Sequence, residues 1–145
     1  MSMLNCQHIE RGKTMFFTKE CDYAIRMVRG LANMEVNSTK VICEREHVPK
    51  DFAYKILKKL EKKGIVKAYR GNDGGYKLHR ELDNITLIDI VRAVDEQLLL
   101  NECLKEGHIC PNNIDGKHCN VNQEFMRVQD ALLGELGKKT MKELV

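Results

Sequence analysis

The stretch KDFAYKILKKLEKKGIVKAYRGNDGGYKLHR, Lys50 to Arg80, decides how this chain reads. Its first half carries Phe52, Ile56, Leu57 and Leu60 at near-helical spacing, which predicts a helix over Lys50–Lys63 with those side chains inward. Lys55, Lys58, Lys59, Lys62 and Lys63 then face outward. Gly64 is the expected stop, a glycine cap beside lysines that suit the negative end of the helix dipole. Ile65–Tyr69 reads as a strand, Arg70–Gly75 as a turn and Tyr76–Leu78 as the return strand. Asn72-Asp73-Gly74-Gly75 is expected to supply the positive φ angles of a tight hairpin.

Upstream, Thr18–Met34 predicts a helix, with Tyr23, Ala24, Met27, Val28 and Leu31 on one apolar stripe. A polar loop over Asn33–Thr39 leads to a short helix across Val41–Glu46. Val48-Pro49 is the turn into the basic helix, with Pro49 at or near its first position. Short helix, turn, basic helix and glycine-tipped hairpin, in that order, make a winged helix-turn-helix. The fold class is therefore mainly α with a small β-hairpin. Between Lys40 and Arg80 stand twelve Lys or Arg against five Asp or Glu, a local charge of +7. The whole chain carries +3, so the remainder sums to −4, and the basic patch belongs to one structural unit. A lone lysine-rich helix is more often a solvated surface than a binding site. The order of elements reverses that preference and points to double-stranded DNA, whose major groove admits one helix between rows of phosphates.

Downstream, Thr86 and Asp89 form a capping-box-like start to a helix over Leu87–Val94, with Leu87, Ile90, Val91 and Val94 on one face. Residues 96–120 lack periodicity and read as a long loop holding Cys103, Cys110 and Cys119, with gaps of six and eight residues. Soft thiolates on such a loop suit an iron–sulfur cluster. The absence of a CxxC pair disfavours a zinc ribbon, His108 and His118 leave a Cys/His zinc site open, and three free thiols fit the spacing equally well. Val121, Phe125, Val128, Leu132 and Leu136 mark a long amphipathic helix suited to packing against a copy of itself. The expected division is an extension over 1–14, a DNA-binding domain over 15–95, a sensor loop over 96–120, and a dimerisation helix with the C-terminal segment over 121–145.

Apolar content of 43 % and charged content of 31 % are ordinary for a globular chain of 145 residues, and the lack of Trp with only two Pro leans towards helix. No apolar run approaches the ~20 residues of a membrane span, and residues 1–14 lack a signal-peptide core, so a cytoplasmic protein is expected. The leading residues read as a disordered extension ahead of Met15 as the natural beginning. Six cysteines in such a compartment point to metal or redox chemistry rather than disulfides. Cys21 and Cys43 are expected to pack as small apolar groups, Cys6 to lie in the extension, and His8, His47 and His79 to have no site role. No Ser/His/Asp order, P-loop or paired carboxylates support an enzyme, and no small-molecule substrate is implied. A Cys nucleophile beside His108 or His118 would lack an oxyanion site.

The wording of FTKECDYAIRMVRGLA (Phe17–Ala32), VPKDFAYKILKKLEKKGIVKAYRG (Val48–Gly71), GGYKL (Gly74–Leu78) and ITLIDIVRAVDE (Ile85–Glu96) resembles one family. It is that of the iron–sulfur and redox-responsive winged-helix repressors that include IscR, NsrR and CymR. GIVKAYRGNDGGYKL is the specific part, and the likeness runs from Phe17 to the C-terminus. The resemblance implies a homodimer on a palindromic operator, with the recognition helix in the major groove and the wing arginine at the minor groove. Carried onto this chain, the helix start is Lys50, Asp51, Tyr54 and Lys55, followed by Lys58, and the wing offers Arg70 and Asn72. Tyr54 stands where some members carry an acidic base reader.

The resemblance also implies a 2Fe-2S or 4Fe-4S cluster on Cys103, Cys110 and Cys119. Some members add a histidine three residues after the last cysteine, where this chain has Asn122. Others use an acidic residue of the first helix reaching across the dimer, which corresponds to Asp22. The eight-residue gap after Cys110 is wider than the family's usual spacing. A cluster-free regulator of the same fold, switched by thiol oxidation or a partner protein, is the alternative.

Overall fold

The computed structural model describes residues 17–112 and 119–145; the expected extension with Cys6 and His8, and also Met15 and His118, lie outside them. Helix α1 spans Lys19–Gly30 and starts where the Thr18 hydroxyl accepts from Cys21 N at 3.3 Å. It ends short of the expected Met34, in a turn over residues 31–33. Its stripe is as expected: Ala24, Met27, Val28 and Leu31 are fully buried, Tyr23 packs at the edge, and Cys21 joins them.

Helix α2 (Thr39–Glu46) is capped by Ser38 and closes at His47 with φ 54°. Helix α3 (Lys50–Lys62) follows, with Pro49 as its N-cap. Gly64 lies beyond the end of α3 with φ +70°, the left-handed conformation that a glycine adopts without strain. The inward side of α3 is Ala53, Ile56, Leu57 and Leu60, a strict i, i+3, i+4, i+7 set. This corrects Phe52, which is 43 % exposed. One position before Ala53 turns a side chain ~100° away from the stripe, so the ring reaches only the flank and meets Tyr23 edge-on at 5.3 Å.

Strands β1 (Val66–Tyr69) and β2 (Gly75–Leu78) pair antiparallel with Val66 opposite Leu78 and Tyr69 opposite Gly75. The positive φ of the turn sits at Gly71 (φ +112°), ahead of the Asn-Asp-Gly-Gly run expected to supply it. Asn37 borders β2 as a third, single-residue strand.

Helix α4 spans Leu87–Val94, and Asp89 Oδ2 accepts from Thr86 N at 2.9 Å as the capping-box reading requires. Among its described residues, the segment after it carries a single 3-10 turn at Glu102–Leu104. Helix α5 covers Asn120–Leu136, and a last turn, α6 (Met141–Leu144), returns to the domain. There Met141 N donates to Ile85 O at 2.7 Å, and Met141 is 2 % exposed. One core joins α1, α2, α3, the hairpin, α4, Leu98 and Met141. The chain is mainly helical with one hairpin, a winged-helix fold. Among the described residues no helix is long and apolar enough to cross a membrane.

Candidate nucleic-acid interface and cysteine segment

The twelve cations of the 40–80 window divide into two groups. Lys40, Lys59 and Lys63 face Glu44, Glu20 and Glu96, while Arg45 and Arg80 are bound to Gly30 O and Lys63 O. The other seven, Lys50, Lys55, Lys58, Lys62, Lys67, Arg70 and Lys77, all lie on α3 or the hairpin. None has an acidic partner among the described residues. Of the five lysines expected outward, Lys55, Lys58 and Lys62 have no acidic partner among the described residues, whereas Lys59 and Lys63 are engaged. Lys59 reaches Glu20 at 2.8 Å, off the line of a hydrogen bond, and donates to Val94 O at 3.0 Å. Lys63 lies 2.8 Å from Glu96 and holds its carboxyl below the ordinary range, chiefly by hydrogen bonding. Both acids are remote in sequence, so no local pattern announced them.

Asp51, Lys55, Lys58 and Lys62 recur at four, three and four residues, which puts them on the α3 face opposite the core. All four are exposed, as are Lys50 and Tyr54 beside them. Asp51 also suits the positive end of the α3 dipole. Across the hairpin, Arg70 and Asn72 are exposed at the turn, and Lys67 Nζ lies 5.8 Å from the centre of the Tyr69 ring. Ala68 N donates to Glu61 Oε1 at 3.1 Å, which fastens the base of the hairpin to the end of α3. The seven cations thus lie on two adjoining elements, α3 and the hairpin; Lys67 and Lys77 join the set although no motif singled them out, and Lys62 is outward as expected.

The cysteine segment is built differently. Cys103 and Cys110 are half-buried and Cys119 is exposed as the N-cap of α5. Asn122 Nδ2 donates to Cys103 O at 2.9 Å, so the residue standing in for a ligand histidine secures the loop backbone. A cavity of about 160 Å³ beside Cys103 is lined by Leu104, Asn122, Met126, Gln129 and Asp130. Asp22 lies on α1 in an ion pair with Arg26 at 3.1 Å. Three thiols within seventeen residues are a fitting donor set for iron. Yet among the described residues no three His, Cys, Asp or Glu side chains are gathered where a metal would sit. Cys21 and Cys43 are buried as expected, and burial pushes the Cys43 thiol up against the opposing pull of Lys50.

Residues 17–145 match the Rrf2 family, described as an iron-dependent transcriptional regulator. The chain belongs to the Rrf2 family. Protein aau3 of Rhizobium meliloti is 31 % identical over 134 residues, covering 90 % of this chain and 85 % of that protein. Two solved Rrf2-like structures share the fold. CymR, the global cysteine regulator of B. subtilis, superposes with a TM-score of 0.71 at 22 % identity, over 90 % of this chain and 96 % of its own. IscR of T. potens gives 0.69 at 24 % identity, over 88 % and 84 %. The chain is thus a DNA-binding transcriptional regulator and not an enzyme.

Proposed function

We propose that this Rrf2 regulator grips a palindromic operator as a homodimer, each protomer laying α3 in a major groove with the wing at the flanking minor groove. The observation that carries the reading is the set of seven cations on α3 and the hairpin without acidic partners among the described residues, the other five of the window being already engaged. Lys50, Asp51, Tyr54 and Lys55 meet base edges and adjacent phosphates, Lys58 meets phosphate, and Arg70 with Asn72 meets the minor-groove side. Helix α5 supports the dimer: none of its seventeen residues is buried within the protomer, and Val121 and Val128 stand 62 % and 39 % exposed. The working division is a DNA-binding unit over 15–95, a sensor segment over 96–120 and a dimerisation segment over 121–145.

Operator binding is controlled through the sensor segment. Cys103, Cys110 and Cys119 would hold an iron–sulfur cluster, with Asp22 reaching across the dimer as the fourth ligand. Bound there, the cluster supplies a redox-active centre sensitive to oxidation and nitrosylation. The residues around the segment supply the linkage. Its start is tied to α3 through Lys63–Glu96, just after the Lys59 bond to the end of α4, and to α5 through Leu100 N donating to Gln129 Oε1 at 2.9 Å. A change in the segment's shape therefore alters the angle between α5 and the DNA-binding unit. That resets the distance between recognition helices, which must match half-sites ~34 Å apart. Protein reconstituted anaerobically with iron and sulfide should gain visible absorbance and change its affinity for an operator selected from random duplexes. A colourless product with unchanged affinity would remove the cluster reading and leave the DNA reading standing.

The absence of a gathered ligand group among the described residues favours a second reading, a cluster-free switch by thiol oxidation or a partner protein. Serine at Cys103, Cys110 and Cys119 in turn separates the two. Cluster control needs all three thiols, whereas a thiol switch needs one or two.

A further inference from the structure

The wing is not held by its own two strands alone. Asn37 N donates to Tyr76 O and Tyr76 N donates to Asn37 O, each at 2.9 Å. Gly75 passes so close that a Cβ there would lie 2.1 Å from Asn37 O, so glycine is needed for the contact. Asn37 is a buried polar residue, 9 % exposed, and every polar atom of its side chain is engaged. Its Nδ2 donates to Glu35 O at 2.9 Å and Asn33 Oδ1 at 3.0 Å, and its Oδ1 accepts from Arg45 Nη2 at 3.2 Å. Arg45, in the last turn of α2, also donates from Nη1 to Gly30 O, the last residue of α1, at 3.0 Å. One planar guanidinium therefore bridges the end of α1 and the residue that borders the wing, a geometry a lysine cannot reproduce.

A two-stranded hairpin is marginal by itself in water, so its attitude is set by whatever borders it. Glu61 fastens the β1 side, and Asn37 alone among the described residues borders β2 as a further strand. Arg70 projects from the turn beyond both fastenings, where a small tilt at Tyr76 becomes a displacement of the tip. We propose that Arg45 and Asn37 are positioning residues that aim the wing, so that Arg70 engages DNA only while the Arg45–Asn37–Tyr76 chain is intact. This rests on the wing contact proposed above.

The test is a double-mutant cycle on a duplex selected by the protein from a random pool, with amide exchange on the free full-length protein. Arg45→Met should weaken binding about tenfold, the loss expected for a charged hydrogen-bonding group. It should also speed exchange at the Tyr76 and Asn37 amides about tenfold. Arg70→Ala should weaken binding in the wild type but add nothing once Arg45 is Met, while Lys58→Ala should add in full. Arg45→Lys, which keeps the charge, should behave like Arg45→Met. If the Arg45 and Arg70 losses add, Arg45 is a phosphate contact and the positioning role is overturned. Unchanged exchange at Tyr76 overturns it equally. If Arg70→Ala leaves wild-type affinity unaltered, the wing contact itself fails and the role given to Arg45 falls with it.

Discussion

Lys59 of α3 and Val94 at the end of α4 are joined by a hydrogen bond from Nζ to the carbonyl oxygen, 3.0 Å long. The same ammonium faces Glu20 of α1, so one lysine ties three helices. Its side chain is 35 % and that of Glu20 23 % exposed, so solvent screens part of the attraction. Lys59→Met should lower unfolding free energy by about 1–2 kcal/mol, from the lost bond and an acid left without its counter-charge. Because this charge is already neutralised, the salt dependence of duplex binding should not change. Urea unfolding and a salt series check both halves. A shallower salt slope with unchanged stability would instead make Lys59 a phosphate contact.

Helix α5 has apolar side chains at Val121, Phe125, Val128, Leu132 and Leu136, yet buries none of them fully in one protomer. A stripe of this kind is stable when a second copy covers it. Val128→Asp should convert dimer to monomer in sedimentation at micromolar concentration and weaken duplex binding at least about tenfold, because two half-sites would no longer be held together. A monomeric wild type, or a variant that remains dimeric, would contradict the assignment of α5.

Cys43 sets an alkaline limit. Burial raises its thiol above the ordinary value, so the folded chain retains a proton that the unfolded chain releases. The resulting stability is fully present below the unfolded thiol value and is lost as pH rises towards the folded one. Between about pH 8 and 10 the wild type should lose stability more steeply than Cys43→Ala, which has no thiol to ionise. Tyr76, also raised by burial, remains in both proteins and cancels in the comparison. Parallel pH profiles from urea midpoints would contradict the assignment.

Much of this fold was legible in the chain because its signals are local. The α1 stripe, Gly64 as a stop, the Thr86–Asp89 start and the hairpin each lie within a few residues of the element they define. Phe52 misled because its spacing of four from Ile56 also fits a helical face, whereas the phase set by Ile56, Leu57 and Leu60 together favoured the smaller Ala53. The partners of Lys59 and Lys63 stand more than thirty residues away, so nothing local separated bound lysines from free ones. Asn37 and Arg45 were silent for the same reason, their meaning arising only when β2 arrives beside them. The return of α6 to Ile85 is likewise a tertiary event, which a four-residue element cannot announce. The cysteines were legible as a donor set, but assembly depends on chain geometry that spacing does not determine.

The most direct measurement is a fluorescence-anisotropy titration of a random-sequence duplex across roughly 50–200 mM salt. It would compare the wild type with Lys55→Ala, Lys58→Ala and Arg70→Ala. Binding should weaken steeply with salt, and each variant should reduce the log–log slope by about 1.8, two phosphate contacts per dimer at about 0.9 each, with unfolding midpoints unchanged. Indifference to duplex at the lowest salt, or slopes unaltered in all three variants, would contradict the claim that α3 and the wing form the DNA-binding surface.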